Sequence, residues 1–372
     1  MGRHVKKNMA KPVNRRAKIN DVALAAGVAI KTVSRVLNNE PNVREETRQR
    51  VLAVVKQLNY HPSLSARSLA GRRSHLIGLV YENPSANYIV DVLHGAMTRC
   101  REAGFQLLSH QATGCGEEME RHILGLVDQT HLDGLIVTPP ISESVELIRA
   151  LDRRAIPFVR IAPNGFEHAS PYADMDDEGA AREMTEYLIS EGHRSVAFII
   201  GHPDHVASVQ RLRGFKAGMR ARGLPINPQL IKQGYFVFES GLEAARQLLT
   251  LAQPPTAIFA SNDDMAAGVL MAAHEMGIDV PQDVSVAGFD DTYIARTVWP
   301  KLTTVHQPIY DLSYTATSLL LEMLQTGTVP KSVRLGYRLV CRASTAAAPA
   351  ALRVLNRDRV TSLNVVSQAK AD

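Results

Sequence analysis

Cysteine is scarce in this 372-residue chain. Cys100, Cys115 and Cys341 are odd in number and far apart, without the spacing of a metal site or a disulfide framework. They suit a reducing compartment, where each serves as a small hydrophobe. No stretch approaches the ~20 apolar residues that span a bilayer. No apolar run precedes Ile19 either, so neither a membrane segment nor a signal peptide is expected, and the expected location is the cytoplasm. Neither G-x-G-x-x-G nor G-x-x-x-x-G-K followed by Ser or Thr occurs, so both phosphate-cradling loops are missing. His202 and His205, in HPDH, lack further ligands at suitable spacing for a metal. Asp176-Asp177-Glu178 reads as a helix start, with acids at the positive end of the dipole, rather than as a catalytic cluster. The chain is therefore expected to be neither an enzyme nor a carrier of a cofactor or metal.

Charge, in contrast, is plentiful and unevenly placed. Met1 to Arg73 hold 16 Lys and Arg against Asp21, Glu40, Glu45 and Glu46, a net of +12. The other 299 residues carry 26 basic and 33 acidic groups, a net of −7, so the overall +5 hides a basic head on an acidic body. That asymmetry points to nucleic acid as the partner of the head. The length exceeds what one compact core holds, and 45% hydrophobic residues are enough to build several.

Ile19 to Val36, INDVALAAGVAIKTVSRV, reads as two short helices around a tight turn. Val22, Ala23 and Ala26 make a small apolar face, and Gly27 supplies the positive φ of the turn. Ile30 to Leu37 forms the second helix, with Val33, Val36 and Leu37 inward and Lys31, Ser34 and Arg35 outward. This is a helix-turn-helix pattern, whose second helix enters the major groove. A third helix, from about Glu45 to Leu58, closes the core with Val51, Leu52, Val55 and Leu58. Asn59-Tyr60-His61-Pro62 stops it. Ala29 and Arg44 stand where a capping Ser or Thr would be favoured, so this head is expected to be marginally stable alone.

Ser63 to Arg73 is about two turns long, too short for a stable isolated helix. It is either a plain linker or a helix that forms only when bound DNA holds it. Beyond His75, apolar strand candidates alternate with amphipathic helices. The strands are Leu76–Tyr81, Gln106–His110, Gly134–Thr138, Phe158–Ile161, Ser195–Ile200, Thr256–Ala260 and Val284–Gly288. The helices include Ile89–Glu102, Met119–Gln129, Gly179–Glu191, Arg213–Arg222, Leu242–Leu251 and Met265–Met276. Runs buried on both faces and separated by helices mean parallel sheets, here two doubly wound sheets with a ligand cleft at the strand ends.

Together, DVALAAGVAIKTVSRVLN, LNYHPSLSARSLAGRRS, SNDDMAAG, VSVAGFDDT and LTTVHQP resemble the LacI/GalR family of bacterial transcriptional regulators, in one shared order over about residues 18–344. The resemblance implies an all-α head and an α/β core of two lobes with type I periplasmic-binding-protein architecture. The expected divisions are a basic tail over residues 1–17, a DNA-binding domain over 18–62 and a hinge helix over 63–73. The effector-binding and dimerisation domain then covers 74–345, and a disordered tail 346–372. The family further implies a homodimer on a near-palindromic double-stranded operator, released by a small effector. A secreted solute receptor would share the lobes, but the basic head and the missing signal peptide favour a regulator.

For DNA, Arg35 can grip guanine O6 and N7 bidentately. Lys31 either does the same with one donor or touches phosphate, and Ile30 reads a thymine methyl or excludes water. Thr32 and Ser34 set register on phosphates. Leu69 matches the family's hinge leucine, a pair of which wedges into the minor groove and kinks the duplex. For the effector, the resemblance assigns Arg211, Asn262, Asp290 and Gln307 as hydrogen-bonding groups and Phe236 as the aromatic face. Asn83, Pro84, Asn87 and Tyr88 follow the first strand into the same cleft. Asp264 and Asp291, beside the chosen residues, read as caps or surface charges. Sugar-binding relatives often place an acid where this chain has Ala162-Pro163; that contact is either missing or replaced by Arg160. The set favours a carbohydrate, with a glucoside or disaccharide as the expectation.

Overall fold

The structure is a computed structural model that describes residues 17–37, 40–60, 73–113, 116–163 and 170–349. The chain divides into two compact units, Met1–His75 and Leu76–Asp372.

The first unit holds α1 (Ile19–Ala26), α2 (Ile30–Leu37) and α3 (Glu45–Gln57). Asp21 caps α1 by accepting from the Lys18 amide at 2.7 Å. Gly27 ends the helix in the left-handed region at φ 64°, the conformation that the sequence required there. Val22, Ala23, Ala26, Val33, Val36 and Val51 form the small core. Leu52, expected among them, is 42% exposed. Val51, Val55 and Leu58 lie on one helical face, and Leu52 sits about 100° around from it. Its place is taken by Tyr60. Asn59 adopts φ 45° and the Tyr60 amide donates to the Val55 carbonyl at 2.9 Å, turning the ring back onto the core. No side-chain hydrogen bond caps α3 at Arg44, as its sequence implied.

The second unit contains two parallel sheets. Its elements run β1 (Leu76–Tyr81), α4 (Ala86–Glu102), β2 (Gln106–Gln111), α5 (Gly116–Thr130), β3 (Gly134–Val137), α6 (Val145–Arg153), β4 (Phe158–Ile161) and β5 (Tyr172–Asp174). They continue with α7 (Asp177–Ser190), β6 (Val196–Ile200), α8 (Val206–Ala221), β7 (Ile231–Gln233), α9 (Phe238–Leu249), β8 (Ala257–Ala260) and α10 (Asp263–Glu275). The last are β9 (Ser285–Asp290), α11 (Tyr293–Thr297), β10 (Thr303–His306), α12 (Ile309–Thr326), β11 (Val333–Arg334) and β12 (Arg338–Val340). Among the described residues the strand orders are β11-β5-β4-β3-β1-β2 and β12-β10-β9-β8-β6-β7. Every pairing is parallel except β12 against β10.

Each sheet is covered on both faces. In the first lobe α4 and α12 pack on one side, α5 and α6 on the other. In the second, α9 and α10 face α7 and α8 across the sheet. The chain passes between lobes after Asp174, between Gln307 and Ile309, and between Arg334 and Arg338, because α12 and β11 return to the first lobe. Beyond Thr345 the chain stays against the second lobe as far as Ala348. Ala346 is held by Ser285 and His193, and the Ala348 amide donates to the Glu191 carbonyl.

Close backbone contact between α9 and α10 depends on Gly241, where an added Cβ would overlap the Met265 carbonyl and Cα. Gly241→Ala is expected to lower the unfolding free energy by about 1–3 kcal/mol in urea titrations. Gly125→Ala, on α5 with nothing near its Cβ position, should be neutral or stabilise by up to ~1 kcal/mol.

Candidate functional site

On the head, α2 presents the expected residues outward. Ile30 is 47% exposed and Lys31 is exposed, while Val33 and Val36 are buried. Thr32, Ser34 and Arg35 lie between these extremes. Arg35 is braced by Glu40 at 3.5 Å, which aligns the guanidinium without covering it. Leu24, on α1, is 86% exposed and had drawn no attention in the sequence. Leu69 and the hinge segment through residue 72 lie outside the described residues.

In the second unit, a cavity opens where the carboxyl ends of both sets of parallel strands converge. Asn83, Ser85 and Tyr88 follow β1, Pro139 follows β3 and Ala162 follows β4. From the second lobe come His205 and Arg211 after β6, Phe236 after β7, Asn262 after β8, Asp290 at the end of β9 and Gln307 after β10. Asp177 opens α7 beside them. Almost every central strand thus delivers one side chain, as open α/β sheets do.

Arg211 is the centre. Its Nε donates to Asp177 at 2.8 Å, one Nη to the Ser261 carbonyl at 2.5 Å and the other to Gln307 Oε1 at 3.0 Å. Asp290 lies 3.4 Å away, and the guanidinium carbon sits 3.6 Å above the Phe289 ring. A cation buried to this degree is tolerable only with such partners. Burial pushes the Asp290 carboxyl well above its ordinary range, and the Asp177 carboxyl up as well, with Arg211 opposing both. Asn262 caps α10 through the Met265 amide and donates to the Phe236 carbonyl at 3.0 Å. Phe236 needs that support, since its φ is 61°; Asp290 at 108° and Ala162 at 43° share this strained region.

Seven of the eight expected effector residues line the cavity: Asn83, Tyr88, Arg211, Phe236, Asn262, Asp290 and Gln307. Arg160 does not. It is fully buried within the first lobe, its Nε donating to Ser170 at 2.9 Å and its guanidinium facing Tyr172. The end of β4 thus offers Ala162 to the cavity.

Asp264 and Asp291 are likewise neither caps nor surface charges. Asp264 joins the lobes, accepting from Ser85 at 2.5 Å and Asn87 at 2.6 Å. Asp291 is buried against Arg342 and His306. Ser85, Asp177 and His205 had not been singled out as ligand-facing. One signal was available for Asp177: Asp176 alone caps α7, through the Gly179 amide, which leaves the next carboxylate free to point inward.

The comparisons with known proteins follow this geometry. Residues 18–63 match the description "Bacterial regulatory proteins, lacI family", and residues 185–345 match "Periplasmic binding protein-like domain". Catabolite control protein A of Priestia megaterium is 32% identical over 330 residues, covering 88% of this chain and 98% of that protein. This chain belongs to the LacI family. The HTH-type transcriptional repressor PurR of Escherichia coli O1:K1 is 36% identical over 337 residues, 90% of this chain and 98% of that one. A lac repressor dimer bound to operator and an anti-inducer superposes with a TM-score of 0.76 at 28% identity, covering 90% of this chain and all of that one. A complex of the regulator CelR with cellobiose gives 0.67 at 31% identity over 88% of this chain and all of that one. The LacI-family fold, a helix-turn-helix head with two type I periplasmic-binding lobes, is the one described above. No described helix is long and apolar enough to cross a membrane.

Within the LacI-family cavity, His205 carries a pH dependence. Burial, aided by His202 and Arg211, lowers its pKa from 6.5 to about 4. The folded ring is therefore neutral where an unfolded chain's histidine already takes a proton. Its stabilising contribution is complete above pH 6.5 and is lost as pH falls toward 4. The melting temperature of the wild type should drop more between pH 7 and pH 5 than that of His205→Gln, as read by circular dichroism.

Proposed function

We propose that this protein is a homodimeric, cytoplasmic repressor of carbohydrate-utilisation genes, released from a near-palindromic operator by a sugar. The observation that carries the reading is the convergence of Asp290, Asp177 and Gln307 on one cavity that the Phe236 ring also lines. Carboxylates and an amide accept from vicinal hydroxyls in pairs, while a ring covers the C–H face of a pyranose. CelR, a relative bound to cellobiose, and the lac repressor dimer on its operator support the same assignment. Relatives that are regulators also support reading this chain without catalytic chemistry of its own. A solute receptor would need the lobes alone and has no use for a head of net charge +12.

Arg35 reads guanine, Lys31 contacts a neighbouring base edge or phosphate, Ile30 meets a thymine methyl or excludes water, and Thr32 and Ser34 fix register. Leu69 from each subunit wedges between central base pairs, which costs a few kcal/mol of stacking and is offset by the contacts that the bend creates. The basic tail before residue 18 adds affinity that falls with salt. Sugar binding selects one arrangement of the lobes, and the hinge segments follow that arrangement.

Gel shifts on a palindrome selected from random DNA test the reading. Sugars from a panel of mono- and disaccharides should release the fragment, and failure of every palindrome to bind would overturn it. Asp290→Asn should still bind operator, yet need at least about tenfold more sugar for release, the loss of one charged hydrogen bond. Leu69→Ala should weaken operator binding far more than binding to random DNA; equal losses on both would reject the wedge.

A further inference from the structure

We infer that the effector spans two adjoining cavities, and that it is a saccharide of at least two rings bearing no negative charge. This rests on the sugar reading above and extends it. The inner cavity is small: about 30 Å³ is free among its side chains, room for one or two waters. Beside it lies an outer cavity of about 550 Å³, between Glu82, Pro140 and Glu143 of the first lobe and His202 and Asp204 of the second. Asn83 and His205 line both, so the two spaces adjoin.

A ladder of rings runs from one to the other. Phe236 meets His205 edge-to-face at 5.4 Å, His205 meets His202 at 5.6 Å, and His202 meets Tyr235 at 5.8 Å. Tyr235, outside both linings, is 47% exposed. Phe236 on the inner lining and His202 on the outer one each give a sugar ring an aromatic surface to meet. A single ring over Phe236 would leave the ladder beyond His205 unused.

Charge narrows the class further. The charged residues of the outer lining, apart from its histidines, are Glu82, Glu143, Glu146 and Asp204, with no Lys or Arg among the described residues. In the inner cavity the lone cation, Arg211, already serves Asp177, Asp290 and Gln307. A phosphate or carboxylate on the ligand would face like charges at close range without a free partner. The same carboxylates accept from neutral hydroxyls.

Calorimetric titration of the full chain decides the point, using glucose, galactose, cellobiose, lactose, maltose and sucrose, and the 6-phosphate of the tightest-binding disaccharide. The best disaccharide should bind at least about tenfold more tightly than the best monosaccharide, and its phosphate at least about tenfold more weakly. His202→Ala should cost about tenfold for the disaccharide and under about twofold for the monosaccharide. Glu82→Lys, on a half-buried loop outside the ladder, should recover affinity for the phosphorylated sugar. Equal binding of mono- and disaccharide, or an equal loss of both in His202→Ala, would overturn the two-cavity inference and leave the sugar reading standing. Undiminished binding of the phosphate would overturn the charge argument. A protein that binds operator but none of these sugars would overturn the sugar reading itself, and this inference with it.

Discussion

Arg211 holds the second lobe together at the point where its function is concentrated. Its guanidinium ties the first residue of α7, the loop after β8, the end of β9 and the residue after β10, and rests on the Phe289 ring. Two of those anchors, Asp177 and Gln307, stand beside segments where the chain passes between lobes. A buried charge left without its partners is severely destabilising, so these groups stay together or the lobe loosens as a whole. The wall they form is thereby fixed in shape before any ligand meets it, which is what a selective site requires.

That rigidity supports strain. Phe236, Ala162 and Asp290 hold positive φ around the cavity, each at a cost of order 1–3 kcal/mol. Phe236 keeps its conformation because Asn262 binds its carbonyl while capping α10, so one amide links a helix start to the placement of a ring. Asn262 therefore acts in part as a positioning residue, with both halves of its side chain engaged inside the protein. Asp264 plays a different part, bonding Ser85 and Asn87 across the cleft and coupling the first lobe to this wall.

Much of the fold was legible because long buried strands and amphipathic helix bodies write their periods into the sequence. Leu76–Tyr81 and Phe158–Ile161 agree with the structure residue for residue. The strands β5, β7, β10, β11 and β12, two to four residues each, were missed, being too short to show a period. Helix starts were placed two to seven residues late at α4, α5, α7, α8, α9 and α10. Several of these starts lie at the cleft: Gly116 and Met119 line the outer cavity, and Asp177 and Ala207 the inner one. Ser85, Asp177 and His205 fell into that blind strip, whereas Arg211, Asn262, Asp290 and Gln307 were found through family motifs. Arg160 shows the limit of reasoning by position: its side chain lies inside the first lobe, donating to Ser170 there, rather than lining the cavity.

The small free volume of the inner cavity has a consequence for coupling. A sugar ring cannot enter about 30 Å³ without displacing side chains or shifting the lobes. The Arg211 network resists displacement because every one of its members would lose a charged partner. The first-lobe side, joined through Ser85 and Asn87 to a single carboxylate, yields more readily. Binding energy is thus directed into the relation between lobes, the coordinate that a two-state regulator must bias. A ligand alters that equilibrium only by its preference for one arrangement, and each tenfold of preference is worth about 1.4 kcal/mol. Each hydrogen bond to a buried carboxylate is of that order. Such a clamp is strong enough to set a resting arrangement and weak enough for a sugar with several hydroxyls to replace.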